Sequence, residues 1–181
     1  MQSVTKKAYR LSIQQARLWT GQQGYIPYRP VCRVRLEGQL EMALFQQALQ
    51  KLVARHAILR TEVCYLPSIG LPLQMVSEDG SIVSSWVNLE QMSSPEQEAQ
   101  VLSYIHDLQI APFAENLVPD LLCIVCSLSA RQHILLFSIS LFCSDAATLR
   151  NLLIELARLY EVSLCGEVLP DEQLQYIDVS S

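Results

Sequence analysis

Charged residues are scarce in this sequence. Asp, Glu, Lys and Arg make up only 17% of its 181 residues, which is little for a protein whose whole surface meets water. The shortage implies a face that is normally covered by a neighbouring domain or partner. The 13 basic residues are outnumbered by 18 acidic ones, for a net charge of −5. They are spread along the chain rather than gathered, so the electrostatic footprint of nucleic-acid or anionic-membrane binding is missing. Long apolar runs are also lacking. The longest, Ile134 to Cys143, is broken by two serines and falls far short of the roughly 20 residues a membrane-crossing helix needs. The N-terminal MQSVTKKAYRLS has no apolar central segment of the signal-peptide kind. A cytoplasmic protein with neither a membrane nor a nucleic-acid partner is expected.

Histidine is limited to three positions, His56, His106 and His133. Each sits where packing or hydrogen bonding explains it without catalysis: a helix end, a helix near its C-terminus and the start of a strand. The six cysteines are Cys32, Cys64, Cys123, Cys126, Cys143 and Cys165. With no secretory signal and an ample apolar core, reduced thiols are expected rather than a disulfide scaffold. Cys123 and Cys126 form a Cys-x-x-Cys, but LLCIVCSL reads as a buried strand, where residues three apart point to opposite faces and cannot share a metal. No metal site or bound cofactor is expected.

Half of the residues are hydrophobic, enough for one domain or one lobe of something larger. Ser12 and Gln15 form a capping-box start for SIQQARLWTGQQG, a short helix stopped by glycine. PVCRVRLEG alternates as a strand does. LEMALFQQALQKLVARH carries Phe45, Ala48, Leu49, Leu52 and Val53 along one stripe of an amphipathic helix. ILRTEVCYL, LPLQMVS and SIVSSWVNL read as strands. Ser94, Pro95 and Gln97 start the helix SPEQEAQVLSYIHDLQ. Two strands, 120–128 and 133–142, are apolar on both faces and so belong in the middle of a covered sheet. Ser144 is expected to cap a last helix with Leu149, Leu152, Leu153, Leu156 and Tyr160 on one stripe, followed by an irregular polar tail. The fold class is therefore α/β of the two-layer α+β type, a mixed sheet with flanking helices.

Four stretches in order resemble the condensation domains of nonribosomal peptide synthetases. LSIQQARLW is similar to the opening motif through Ser12, Gln15, Arg17, Leu18 and Trp19. RHAILRT resembles the second motif through Arg55, His56, Leu59, Arg60 and Thr61, with Ala57 in place of Glu. APFAENLVPDLL resembles the Pro-Phe-Asp-Leu segment through Pro112, Phe113 and Pro119, with Ala114 and Leu122 where Asp and Arg are usual. QYIDV matches the start of the Tyr-x-Asp-Phe motif at Tyr176 and Asp178.

The resemblance places SLFCSDA over the active-site motif His-His-x-x-x-Asp-Gly. Ser140 and Leu141 then stand on the two histidines, Asp145 on the Asp and Ala146 on the Gly. In the family the second histidine positions or deprotonates the acceptor amine, and Leu141 has no lone pair, proton or charge with which to do so. Cys143 has no histidine near it in sequence to activate it, and no Gly-x-Ser-x-Gly elbow surrounds Ser140, so neither is expected to act as a replacement nucleophile. The family's Asp is structural, and the resemblance implies a salt bridge from Asp145 to Arg60, with Arg55 the alternative partner.

The resemblance further implies a single lobe of the chloramphenicol acetyltransferase-like fold over residues 1–181, similar to the N-terminal half of a condensation domain. Family members have two lobes and join substrates held as phosphopantetheine thioesters on partner carrier proteins. The expected function is a non-catalytic module that docks on an adenylation domain, a carrier protein, a tailoring enzyme or a second copy of the chain through its open face. The alternative is half of a split condensation enzyme that forms peptide bonds once a second lobe is supplied. The family forms amide bonds, and Leu141 argues against that activity for this chain alone.

Overall fold

The structure, a computed structural model, describes residues 8–13, 15–17, 29–68, 70–77, 80, 82–111, 121–140 and 145–166, with the backbone alone at residue 146. Its strands are β1 (Ala8–Arg10), β2 (Val31–Glu37), β3 (Thr61–Leu66), β4 (Leu71–Val76), β5 (Ile82–Asn88), β6 (Leu121–Ser129) and β7 (Gln132–Ser138). Its helices are α1 (Met42–Arg55), α2 (Ser94–Ile110) and α3 (Ala146–Cys165). The strands form two sheets, one of three in the order β1-β4-β3 and one of four in the order β2-β7-β6-β5. All pairings are antiparallel except β5 with β6.

The continuous apolar strands β6 and β7 occupy the centre of the four-stranded sheet, as their two-faced hydrophobicity requires. On one face, Cys123, Val125, Leu135 and Phe137 meet Leu49 and Leu52 of α1 and Leu152 and Leu156 of α3 in a single core. On the other face, Cys126, Ile134 and Leu136 meet Val101 and Leu108 of α2. The two cysteines of the Cys-x-x-Cys thus lie in different cores, which is what an extended strand dictates. Burial pushes the Cys123 thiol up to about 12 and the Cys126 thiol up to about 11. No group of three or more metal-ligating side chains occurs among the described residues.

Several elements and boundaries differ from those the sequence suggests: β1 was not expected, and β7 ends at Ser138, so that residues 139 and 140 lie outside the strand expected over 133–142. Residues Ala57–Arg60 form a 3-10 turn before β3; Thr61 closes it by donating its hydroxyl to the Ala57 carbonyl at 2.8 Å. The cap of α2 is Ser93, not Ser94: its N–H and hydroxyl both donate to Glu96 Oε2, at 2.8 and 2.7 Å. Gln97, the expected partner of Ser94, instead donates to the carbonyls of Leu89 and Leu128, both at 3.0 Å. The cap of α3 is Asp145, and Ser144 lies outside the described residues. At the other end α3 stops at Gly166, whose φ of 73° is the left-handed conformation that glycine adopts without strain. Among the described residues no helix is long and apolar enough to cross a membrane.

Candidate functional site

The corner that joins β7 to α3 is built from the sheet outward. After β7 the chain continues through Ile139 and Ser140, which are 0% and 3% exposed. It then enters α3 through Asp145, which is exposed. Leu141, Cys143 and Ser144 fall outside the described residues, so the structure locates this corner by its two ends. Asp145 has an extended backbone, with φ −110° and ψ −176°. Its Oδ1 accepts from the Thr148 N–H at 2.7 Å and from the Thr148 hydroxyl at 2.8 Å. These bonds hold its carboxyl below the ordinary aspartate range.

In place of the ion pair expected between Asp145 and Arg60, the structure gives each residue other partners. Arg60 donates from Nε to the Val53 carbonyl at 3.2 Å and from its guanidinium to the Ser77 carbonyl at 2.7 Å. It thereby ties the end of α1 to the residue that follows β4. The reason is local. An Asp with extended backbone just ahead of a helix finds the N–H and hydroxyl of the residue three places on within reach, whereas an arginine at the end of a 3-10 turn faces nearby carbonyls.

The alternative partner, Arg55, is engaged elsewhere on α3. Its Nε donates to Glu155 Oε1 at 2.7 Å, and His56 Nε2 donates to Glu155 Oε2 at 2.7 Å. One carboxylate thus clamps two adjacent residues of the second motif. All three side chains are largely buried, at 18% exposed for Arg55, 14% for His56 and 23% for Glu155. Burial pushes the Glu155 carboxyl up, but the bonds and charges of Arg55 and His56 outweigh it and hold the group below its ordinary range. Glu155 was not singled out by the sequence. It lies beside the apolar stripe of α3, a signal that fixes its face but not its partner.

The opening motif is structural in the same way. Ser12 N–H donates to Gln15 Oε1 at 2.9 Å and Gln15 N–H donates to Ser12 Oγ at 3.2 Å, which is the capping box that the sequence predicts. The buried Gln15 amide also reaches Gln74 Oε1 of β4 at 3.4 Å, and Gln74 in turn donates to the Arg10 carbonyl at 2.9 Å. Of the histidines, His56 is clamped, His133 is buried and His106 is exposed on α2. Leu18, Trp19, Pro112, Phe113, Ala114, Pro119, Tyr176 and Asp178 lie outside the described residues.

A model of the family described as the condensation domain matches residues 5–181. This chain belongs to the condensation-domain family. It is similar to tyrocidine synthase 2 of Brevibacillus parabrevis, 32% identical over 84% of the chain and 4% of that protein. It is also similar to bacitracin synthase 3 of Bacillus licheniformis, 28% identical over 99% of the chain and 3% of that protein. The chain thus spans a few per cent of the length of these relatives. Among solved structures, it superposes on the starter condensation domain of rhizomide synthetase RzmA with a TM-score of 0.84. That match has 18% identity and covers 96% of this chain and 42% of the other. A structure of the X-domain in complex with OxyB from teicoplanin biosynthesis gives a TM-score of 0.76 at 20% identity, covering 96% of this chain and 37% of that one. The fold is thereby the chloramphenicol acetyltransferase-like fold of condensation domains.

The condensation-domain corner makes a specific prediction. Asn caps a helix as Asp does but carries no charge, whereas Ala does neither. Asp145→Asn is therefore expected to leave Tm nearly unchanged, and Asp145→Ala to lower it, in thermal melts at neutral pH. Equal losses from both substitutions would show that the charge of Asp145, and hence an ion pair, is what matters.

Proposed function

We propose that the chain is a non-catalytic, condensation-like lobe that serves a nonribosomal peptide synthetase as a structural or docking module. The observation that carries this reading is the pair Ser140 and Leu141 at the two histidine positions of the family motif. A leucine cannot take a proton from an attacking amine, and a serine hydroxyl is a far weaker base than an imidazole at neutral pH. Asp145, the motif residue that is retained, has its carboxylate engaged by Thr148, which supports a role in holding the corner.

In a two-lobed relative the acceptor amine and the phosphopantetheine thioester are brought together between the lobes. The chain, residues 1–181, resembles one lobe of such a relative, with Ser140 and Leu141 where its motif has the two histidines. Its candidate partners are the other parts of a synthetase: an adenylation domain, a carrier protein or a tailoring enzyme. The X-domain found in complex with OxyB supports docking as a use of this fold. The tip of the β3–β4 hairpin, where Tyr65 and Leu71 are 53% and 50% exposed, supplies apolar surface for a contact.

The test supplies purified chain with a donor thioester and an acceptor amine on carrier proteins, with and without a second lobe added as a separate chain. Product at the level of the carriers alone is expected in both cases, with co-elution of the chain and a neighbouring synthetase domain on size exclusion. Product above that background from the unaltered chain with the added lobe would overturn the reading in favour of a split condensation enzyme. In that event the variant S140H/L141H sets the scale, because a positioned general base contributes about 10²–10⁴ in rate.

A further inference from the structure

The outermost strands of the two sheets are β1 and β3 in one and β2 and β5 in the other. An edge strand presents unpaired N–H and C=O groups, and charged side chains, proline or bulges usually keep another chain from pairing with them. β1 carries Arg10, β2 carries Arg33, Arg35 and Glu37, and β3 carries Glu62. β5 reads IVSSWVN; it has no charge and no proline, and its seven residues follow β6 in unbroken register. Val83, Ser84 and Ser85 are exposed, Val83 to 56%. One hydrogen bond fixes which main-chain groups of β5 are free. Leu89, the residue after β5, donates its N–H to the Ser127 carbonyl at 2.8 Å. Successive residues of a strand aim their main-chain groups at opposite edges. Val83, Ser85 and Val87 therefore bond toward β6, while Ile82, Ser84, Trp86 and Asn88 aim their N–H and C=O groups outward. Among the described residues no hydrogen bond reaches those outward groups.

We propose that β5 pairs antiparallel with β5 of a second copy of this chain, about a two-fold axis at Ser85, so that two four-stranded sheets join into one. The strand's own pattern names the occupant. Centred on Ser85, the pairing sets Ile82 opposite the partner's Asn88 and Ser84 opposite the partner's Trp86. These are the outward residues, and each opposed pair exchanges two main-chain bonds, about eight in all. Sliding the copy by one pleat in either direction loses about two of them. The same register sets Val83 opposite the partner's Val87 and Ser85 opposite the partner's Ser85. The exposed Val83 is thereby covered by a second β-branched side chain, and the bulky Trp86 faces a small serine. No charge opposes a like charge. β2 fails that condition, because pairing with itself about Val34 would set Arg33 against Arg35.

Sedimentation of the full chain over a micromolar concentration series tests the pairing, and a monomer–dimer equilibrium is expected. Ser85 is exposed, so Ser85→Lys is expected to keep the circular dichroism of the unaltered chain. It sets two ammonium groups face to face on the axis and is expected to weaken the dimer by more than about tenfold. An equal mixture of Ser85→Lys and Ser85→Asp chains is expected to recover the dimer, because the opposed charges then differ in sign. Ser85 and the partner's Ser85 form a non-hydrogen-bonded pair, with Cα atoms about 4.5 Å apart. That lies within the roughly 4.4–6.8 Å a disulfide spans. Ser85→Cys is therefore expected to give a covalent dimer under mild oxidant, with the bridge located by peptide mapping. The unaltered chain, whose Cys165 is exposed, is the control. Should the lysine variant fail to fold, the cross-link decides alone. A monomer at every concentration, a dimer that Ser85→Lys leaves intact, or a Ser85→Cys chain that cross-links no more than the control would each overturn the proposal. A chain that is monomeric alone but loses a neighbouring synthetase domain on Ser85→Lys would assign the edge to that domain instead.

Discussion

Phe137→Ala is expected to destabilise the chain by about 3–5 kcal/mol, the range for truncating a fully buried aromatic ring. At about 2–4 °C of Tm per kcal/mol for a chain of this size, the melting point falls by roughly 10 °C. Phe137 is 0% exposed and sits in the core shared by α1, α3 and the four-stranded sheet. Its cross-strand neighbours are Cys32 on β2 and Cys123 on β6. Neither is large enough to fill the space a missing ring leaves, so both the transfer and the cavity contributions are lost. The residue also lies three positions before Ser140, so the same change loosens the strand that leads to the motif corner. Denaturant titration by circular dichroism reads the effect. A midpoint within about 1 kcal/mol of the unaltered chain, well below the usual cost, would mean that the ring is not packed as described.

The clamp between α1 and α3 carries the second large effect. Glu155→Ala leaves Arg55 and His56 largely buried without their shared acceptor, at an expected cost of about 1–3 kcal/mol. The pH dependence follows from the lowered pKa of the Glu155 carboxyl. A carboxylate whose folded pKa is depressed contributes its stability in full above its unfolded pKa, about 4.3 for glutamate. That contribution is lost as pH falls through the lower folded value. The gap in stability between the unaltered chain and Glu155→Ala is therefore expected to be widest at neutral pH and to shrink on acidification below about pH 4. Urea titrations at a series of pH values measure it. A gap that stays constant down to pH 2 would mean that Glu155 acts through packing alone. A double-mutant cycle with Arg55→Ala isolates the share of the pair, because both residues meet at one carboxylate.

These effects fall on residues that the sequence revealed to different degrees. The amphipathic stripe of α1 and the apolar β6 and β7 were legible because their periods are local: 3.6 residues per turn for the helix, and burial on both faces for the strands. The family was legible from four short motifs in order. The caps were legible to within one residue. Ser93 and Asp145 each took the role expected of a neighbour, because a cap depends on which residue turns extended, and adjacent polar residues compete for that place.

What the sequence determined by itself is the order of the elements from β2 to α3, and the family; β1 was not legible in it. Tertiary structure alone decided which side chains meet. Glu155 lies 100 positions from Arg55 and 99 from His56, and local periodicity can place it on a face of α3 without saying that the end of α1 lies opposite. The same holds for Ser127 Oγ and His133 Nδ1, 3.0 Å apart, whose meeting depends on the β6–β7 register across an irregularity between Ser127 and Ser129. Hydrogen bonds and ion pairs act over about 3 Å, so they are set by how the elements pack, and packing is the one property that no local pattern carries.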